Sequence, residues 1–177
     1  MESAGLVRRS RGAVSLIADR SFELPTEFRM SKNQEKKDLI ARIAKQHLTN
    51  DCFIFLDSST TVKALSRYIH QLNNVSIVTY SISMANELAQ YQNLNVLIPG
   101  GRIVPGHDAM LGALTIKNLE DFYFDLAIFS CKSMDMNGTY EAQYDQALIK
   151  KSVLSQTRQS LLLCDSTKIG DSSFYFV

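Results

Sequence analysis

The sequence predicts an α/β protein in which helices cover both faces of a mostly parallel sheet. Short and almost wholly apolar segments, such as residues 52–56, are typical of strands that are buried on both faces. Segments whose apolar residues recur every three or four positions alternate with them, which is the pattern of amphipathic helices. This alternation implies parallel strands joined by helical crossovers. A chain of 177 residues with 45% hydrophobic content is the size of one domain and can fill a core.

The first part of the chain is polar. Residues 1–12 contain three closely spaced arginines, Arg8, Arg9 and Arg11, and we expect a linker there, without folded structure of its own. The domain itself is predicted to span residues 13–177 and to begin with a short strand at 13–17.

A loop punctuated by Pro25 precedes the first predicted helix. Ser31, with Gln34 three residues later, fits a capping box at the helix start. The apolar face of this helix is predicted to comprise Leu39, Ile40, Ile43, Ala44 and Leu48.

The rest of the chain alternates between strands and helices. Strands are predicted at 52–56, 75–79, 94–98, 125–130 and 160–164. The first helix among them carries Val62, Leu65, Ile69 and Leu72, and the others are predicted at 82–90, 111–122 and 141–156. Asn137 and Gly138 indicate a tight turn.

The most informative motif follows the apolar strand at 52–56. Asp57 is followed by four hydroxyl residues, Ser58, Ser59, Thr60 and Thr61, at the start of a helix. A helix start offers unpaired N–H groups and the positive end of the helix dipole, which together stabilise an anion. One hydroxyl would suffice as a helix cap, so the run of four favours a phosphate or carboxylate site. Asp57 would either bind a sugar hydroxyl or fix the turn by accepting backbone N–H bonds.

Polar residues and glycines follow the other predicted strands as well. In parallel sheets, ligands bind beyond the carboxyl ends of the strands. We therefore expect a polar pocket there for a small, hydroxylated, anionic molecule. Its further candidate residues are Thr79, Ser81, Gly100, Gly101, Ser130, Lys132, Ser133, Asp165 and Lys168. For Lys168, a solvated loop lysine is the alternative.

Several classes of function lack support. The formal net charge of +1 argues against nucleic-acid binding by this piece alone. No apolar run is long enough to span a bilayer, and we expect no membrane association. There is no Walker or GxGxxG nucleotide motif. The histidines lack metal-ligand spacing, so neither a metal nor another cofactor is expected. Three widely spaced cysteines suggest reduced thiols in a cytoplasmic protein, with a reactive role open for Cys131.

In its ordered series of motifs the chain resembles the effector-sensing domain of the DeoR family of bacterial transcriptional repressors. The turn at 57–61 is similar to that family's Asp-Ser/Ala-Gly/Ser-Thr-Thr turn, and residues 79–81 are similar to its Thr-Asn-Ser. The other matching positions are residues 5–9 and 12–14, Phe28, Arg29, Asn33, Glu35, Lys36, Ile40, Ala41, Gly100, Gly101, Arg102, Gly112, residues 165–168 and Phe174.

The resemblance implies a Rossmann-like sheet related to ribose-5-phosphate isomerase and the coenzyme A transferases. It also implies a phosphorylated sugar or related metabolite as effector, and it adds Arg102 to the ligand-binding candidates. Operator DNA would be bound by a separate N-terminal helix-turn-helix domain, which we expect to be missing before residue 1. The C-terminus is also expected to be truncated, and the family implies a homo-oligomer.

Two segments depart from the family pattern. Where the family has Gly-Ala-(Asp/Ser/Asn)-Gly, this chain has Ser130, Cys131, Lys132 and Ser133, and Tyr80 replaces a small amide. Glu141 and Asp145 are predicted to share one face at a helix start. They would either accept bonds from sugar hydroxyls or be plain acids favoured at a helix N-terminus.

Three functions remain open at this point. A sensor without catalytic residues is the favoured hypothesis. The alternatives are an enzyme on the same scaffold, such as a sugar-phosphate isomerase or a coenzyme A transferase, and an oligomerisation domain whose pocket has decayed.

Overall fold

Five parallel strands form the central sheet of the computed structural model, which describes residues 7–10, 13–16, 23–170 and 173–177. In chain order, the strands of the described segments, including those outside the central sheet, are β1 (Val7–Ser10), β2 (Ala13–Leu16), β3 (Phe53–Leu56), β4 (Val75–Thr79), β5 (Leu94–Leu97), β6 (Arg102–Ile103), β7 (Met110–Leu111), β8 (Phe124–Phe129), β9 (Ser133–Asp135), β10 (Gly138–Glu141), β11 (Thr157–Leu162) and β12 (Tyr175–Phe176). The α-helices are α1 (Thr26–Ser31), α2 (Gln34–Ala44), α3 (Thr60–Ile69), α4 (Ile82–Leu88), α5 (Ala113–Leu119) and α6 (Tyr144–Ser155). Two 3-10 turns occupy Lys45–His47 and Ser166–Lys168.

The central sheet has the strand order β11-β8-β3-β4-β5, with every neighbouring pair parallel. The five strands predicted between residues 52 and 164 are therefore confirmed. The last one begins at Thr157 rather than 160, because β11 lies at the sheet edge. Its polar residues Arg158 and Gln159 are exposed there while their backbone pairs with β8.

Helices cover both faces of this sheet, as predicted. Successive strand residues point to opposite faces, so Ile54 and Leu56 contribute to one apolar cluster and Phe55 to the other. The first cluster is closed by residues of α2, α3 and α4, including Ala41, Leu65 and Leu88. The second is closed by residues of α5 and α6. No helix in the described segments is long and apolar enough to cross a lipid bilayer.

Two small antiparallel sheets accompany the central one. Strands β6 and β7 pair with each other, and β10 lies between β12 and β9. The hairpin of β9 and β10 confirms the turn signal at Asn137 and Gly138, although Gly138 already pairs with Asp135.

The N-terminal segment corrects one expectation. Residues 1–12 are predicted to lack folded structure, yet β1 pairs antiparallel with β2, with Val7 opposite Leu16. This ladder joins backbone groups, which the polar composition of the segment does not indicate. The strand predicted at 13–17 is confirmed as β2, and the rest of 1–12 lies outside the described residues.

The first predicted helix is also corrected. Ser31 is not its N-cap but the last residue of α1, where its hydroxyl donates to the Phe28 carbonyl. Helix α2 begins at Gln34, after Asn33 in the left-handed conformation (φ 55°). Leu39 and Ile43 are exposed, because α2 turns Lys37, Ala41 and Ala44 inward instead. The inward side of α2 thus includes a lysine, which an apolar pattern cannot indicate.

The predicted helix at 141–156 begins three residues late. Glu141 is the last residue of β10, and α6 starts at Tyr144. Glu141 and Asp145 therefore do not share a helix face, and that expectation is wrong. The helix expected at 111–122 is shorter too, at Ala113–Leu119.

Candidate functional site

A cavity of about 270 Å³ lies at the carboxyl ends of the central strands. The turn after β3 forms one wall, Tyr80 after β4 another, and the segments after β8 and β11 a third. Helices α2 and α6 and the segment around α1 contribute further polar side chains. The position agrees with the rule that parallel α/β sheets bind ligands beyond their carboxyl ends.

The turn after β3 is fixed by Asp57, whose side chain is fully buried. Its carboxylate accepts from the Ser59 amide and from the Ser130 amide, both at 2.8 Å. Of the two roles left open for Asp57, the structure therefore shows the bracing of the turn. Because Asp57 bonds the segment that follows β3 and the segment that follows β8, it also holds two walls of the cavity together.

The four hydroxyl residues that follow Asp57 have different roles. Ser59 caps α3, since its Oγ accepts from the Val62 amide at 3.2 Å. Thr60 and Thr61 are the first two residues of α3. The amides at a helix start have no helix carbonyl one turn earlier to which they could donate. All four hydroxyl residues line the cavity. The helix start thus directs its partial positive charge at the cavity, as the sequence predicts.

Lys150 of α6 joins two buried carboxylates next to this turn. Its Nζ lies 3.2 Å from Asp57 Oδ2, forms a short ion pair with Glu141 and donates to the Ser130 carbonyl at 2.5 Å. Burial disfavours the ammonium, but the charges of Glu141 and Asp57 outweigh it and raise the pKa of Lys150. Burial raises the pKa of Glu141, and the Lys150 charge opposes that rise. The three groups form a buried, mutually satisfied ionic network.

Two further lysines form no ion pair with a carboxylate in the described part of the chain, although the charge of the nearby Asp165 acts on both of them. Lys37 is buried, and its Nζ donates to the carbonyls of Arg29 and Met30. Burial is the main cause that lowers its pKa, followed by the positive charges of Lys168 and Arg29. Lys168 donates to the Ser130 hydroxyl at 2.9 Å and to the Cys131 carbonyl at 2.6 Å. An anion beside these ammonium groups would relieve their mutual repulsion.

Tyr80, Lys132 and Ser133 present further polar groups to the cavity. Tyr80 is buried and stacks on Phe55, and burial together with the Asp57 charge raises its pKa, so its phenol stays protonated. The Ser133 hydroxyl is buried without a hydrogen-bond partner in the described residues. Lys132 lies beside it, with a pKa lowered by burial. These polar groups can contact the hydroxyl groups of a ligand.

Eleven of the seventeen predicted ligand residues line the cavity: Asp57, Ser58, Ser59, Thr60, Thr61, Ser130, Lys132, Ser133, Glu141, Asp165 and Lys168. The structure does not bring the other six to its walls: Thr79, Ser81, Gly100, Gly101, Arg102 and Asp145. Arg102 is largely exposed and lies 3.9 Å from Asp145.

Thr79 and Ser81 have structural partners instead. The Thr79 hydroxyl accepts from the Ser81 amide, and the Ser81 hydroxyl caps α4 by accepting from Met84. Ser81 also donates to Asp108 at 2.5 Å. Only Tyr80, the residue between them, faces the cavity.

Gly100 and Gly101 fit the fold against α5. The Thr115 hydroxyl donates to the Gly100 carbonyl at 2.8 Å. A Cβ on Gly101 would clash with Thr115 Oγ1, and the φ of 130° at Gly101 also favours glycine. Gly101→Ala is expected to destabilise the protein by more than about 1 kcal/mol. Chemical denaturation measures this, and an unchanged unfolding midpoint would contradict the packing role.

Sequence reasoning missed several cavity residues as ligand candidates. The missed residues that carry charge are Glu23, Arg29, Lys32, Lys37 and Lys150. Arg29 pairs with Glu23 at 2.8 Å, and both stand on the segment expected to be a loop. Arg29 and Asn33 lie within the matched family motifs, and that is the one signal that could have indicated them. Lys37 and Lys150 are inward-facing lysines in helices, for which the sequence gives no local signal.

Comparison with known proteins places the chain in a family. The model of the DeoR C-terminal sensor domain matches residues 32–177. The chain is 25% identical to the transcriptional repressor GlcR of Bacillus subtilis, covering 99% of this chain and 67% of that protein. It is 25% identical to the glycerol-3-phosphate regulon repressor of Escherichia coli, covering 93% and 66%. The chain thus spans about two thirds of the length of these relatives.

Solved structures share the fold at low sequence identity. Ribose 5-phosphate isomerase A from Neisseria gonorrhoeae superposes with a TM-score of 0.56 at 14% identity, covering 79% of this chain and 55% of that one. The eIF2B delta chain of Chaetomium thermophilum gives 0.58 at 12% identity, covering 81% and 52%. The expected likeness to the isomerase fold is thereby confirmed. With most of its length matched by the family model, the chain belongs to the DeoR C-terminal sensor domain family.

Proposed function

We propose that this chain is the effector-sensing domain of a cytoplasmic, homo-oligomeric repressor, and that its cavity binds a phosphorylated sugar. Operator DNA would be contacted by a separate helix-turn-helix domain, in line with the regulators it resembles. One of those relatives is named for the regulon of a phosphate ester.

The observation that carries the proposal is the meeting of Lys37 and Lys168 with the start of α3. Both ammonium groups bond only neutral oxygens in the described residues. Together with the helix dipole they favour a doubly charged group, and a phosphate monoester supplies one. We place the phosphate against residues 58–61 and Lys168, with the sugar hydroxyls towards Tyr80 and Ser133.

A thermal-shift comparison tests this proposal. We expect one or more sugar phosphates to raise the melting temperature while the same unphosphorylated sugars do not. A ligand at about a hundred times its Kd stabilises by about 2.7 kcal/mol, which such a scan detects. Failure of every sugar phosphate, or equal stabilisation by the free sugars, would refute a phosphate-directed site.

Thr60→Val tests the hydroxyl run itself. Valine keeps the shape of the side chain but removes the hydroxyl, so affinity for the stabilising sugar phosphate should fall by about 1–3 kcal/mol. Titration calorimetry measures the loss. Thr49→Val, at an exposed position outside the cavity, is the matched control and should bind like the wild type. Equal affinities of all three proteins would remove Thr60 from the site.

The sensor proposal includes the absence of catalysis, and the state of Glu141 supports that. Isomerisation needs a carboxylate base free to take a proton from the sugar carbon. Glu141 is buried and bound to Lys150, which also bonds Asp57. With ribose 5-phosphate in heavy water we expect no deuterium at C2 above background. Exchange that disappears in Glu141→Gln would establish an enzyme instead.

A further inference from the structure

Two cysteines meet where β8 and β11 leave the sheet. Leu162 pairs with Phe129 in the parallel ladder, and Cys164 and Cys131 each follow two residues later. Their sulfur atoms lie 3.8 Å apart, with the Cys131 thiol donating to Cys164 Sγ. Adjacent strands are about 4.8 Å apart, which falls within the Cα separation that a disulfide spans. The two residues are therefore close enough for a disulfide, which requires the sulfurs to approach each other.

The two thiols differ in character. The hydrogen bond from Cys131 is the main cause that lowers the pKa of Cys164 to about 7; burial opposes it and the Lys168 ammonium adds to it. The same hydrogen bond, followed by burial, raises the pKa of Cys131. Cys164 is half-buried, whereas Cys131 is buried in the cavity wall. Cys164 is thus suited to attack an oxidant, and Cys131 to resolve the product.

We propose that Cys131 and Cys164 form a peroxide-sensitive dithiol whose oxidation to a disulfide weakens anion binding in the adjoining cavity. In the first step the Cys164 thiolate attacks hydrogen peroxide; an S–O bond forms, the O–O bond breaks, and hydroxide leaves and is protonated to water. In the second step the Cys131 sulfur attacks the sulfenic acid, the S–S bond replaces the S–O bond, and the Cys131 proton leaves with the hydroxide as water. Two thiols and one peroxide give one disulfide and two waters.

Lys168 connects the cysteine pair with the cavity. The effect of the disulfide on anion binding rests on the proposed function. Bond formation shortens the sulfur separation from 3.8 Å to about 2.05 Å. Lys168 donates to the Cys131 carbonyl and to the Ser130 hydroxyl. The contraction therefore moves the segment that holds this ammonium, which faces the cavity.

The disulfide is tested without any ligand. We treat the protein with one equivalent of hydrogen peroxide, titrate its thiols and measure its intact mass. Three free thiols should fall to one, with the loss of two hydrogen atoms. Cys52→Ser should still lose its two thiols. Cys131→Ser should stop at a sulfenic acid that dimedone traps. Retention of all three thiols, or a disulfide that involves Cys52, would overturn the site.

The coupling is tested with inorganic phosphate as the probe. Its affinity for oxidised protein should be at least about fivefold lower than for reduced protein, the lower end of common coupling energies. Dithiothreitol should restore it, and peroxide-treated Cys164→Ser should show no change. Equal affinity of both forms would overturn the regulatory half. If reduced protein fails to bind phosphate, this regulation falls, while the sugar-phosphate comparison still decides the proposed function and the thiol titration still decides the disulfide.

Discussion

Replacing Lys150 by Met is expected to lower the free energy of unfolding by about 3–5 kcal/mol, the usual cost of leaving buried charges without their partner. The side chains of Lys150, Asp57 and Glu141 are all at most 4% exposed. Met retains most of the apolar volume of lysine, so the loss reports the charge rather than a cavity. Urea denaturation at neutral pH measures it.

The pH dependence identifies the cause. Without the ammonium, the pKa of Glu141, already raised by burial, rises further in the folded variant. Between the ordinary pKa of a glutamate and this raised pKa, the folded state binds more protons than the unfolded state. The stability of the variant therefore falls as pH rises through that range. The deficit relative to wild type should shrink in acid and grow towards neutral pH.

Lys151→Met is the matched control, because Lys151 is the next residue and is exposed. It should change stability by no more than about 0.5 kcal/mol at any pH. Equal losses for the two variants, or a deficit for Lys150→Met that does not vary with pH, would contradict the ionic network.

Lys168→Met is expected to weaken binding of the stabilising sugar phosphate by about 1.5–3 kcal/mol, which is the range for a hydrogen bond to a charged group. The variant loses its charge but keeps most of its apolar stem. Binding should also depend less on salt, since one ionic contact is gone. Calorimetry at two salt concentrations measures both effects.

Lys36→Met controls for the loss of a nearby positive charge. Lys36 is exposed, does not line the cavity, and donates to Ser166 at 3.3 Å on the same turn as Lys168. It should keep wild-type affinity within a few tenths of a kcal/mol. If both variants lose the same affinity and salt dependence, Lys168 contributes only to the general potential, and the solvated-lysine alternative is correct.

The fold could be predicted from the sequence because its signals are local. An apolar run such as 52–56 and the apolar positions of α3 each specify an element from their own neighbours. The alternation of those elements then leaves few arrangements besides a parallel sheet. The same dependence on local sequence explains the predictions that were wrong. Leu39 and Ile43 match a helical pattern, but the face that α2 buries depends on what α3 presents to it.

The candidate site was predictable only in part, for the same reason. The turn at 57–61 belongs to a single strand–helix junction, so its exposure at the sheet edge follows from the sequence. The other residues that join this turn depend on the direction of their side chains. Successive residues of a strand point to opposite faces, so a shift of one residue places a side chain in the cavity or away from it. Tyr80 thus enters the cavity while Thr79 and Ser81 do not.

By itself, then, the sequence determined the parallel sheet, the family and the position of the turn at 57–61 at the edge of the sheet. Only the tertiary structure brought Lys37, Lys150 and Lys168 to that turn, and only it placed Cys131 beside Cys164. These residues come from segments far apart in the chain, and nothing in their local sequence differs from that of solvated lysines or isolated thiols. Packing decides their role, because burial and the charges brought near set the electrostatics of each group.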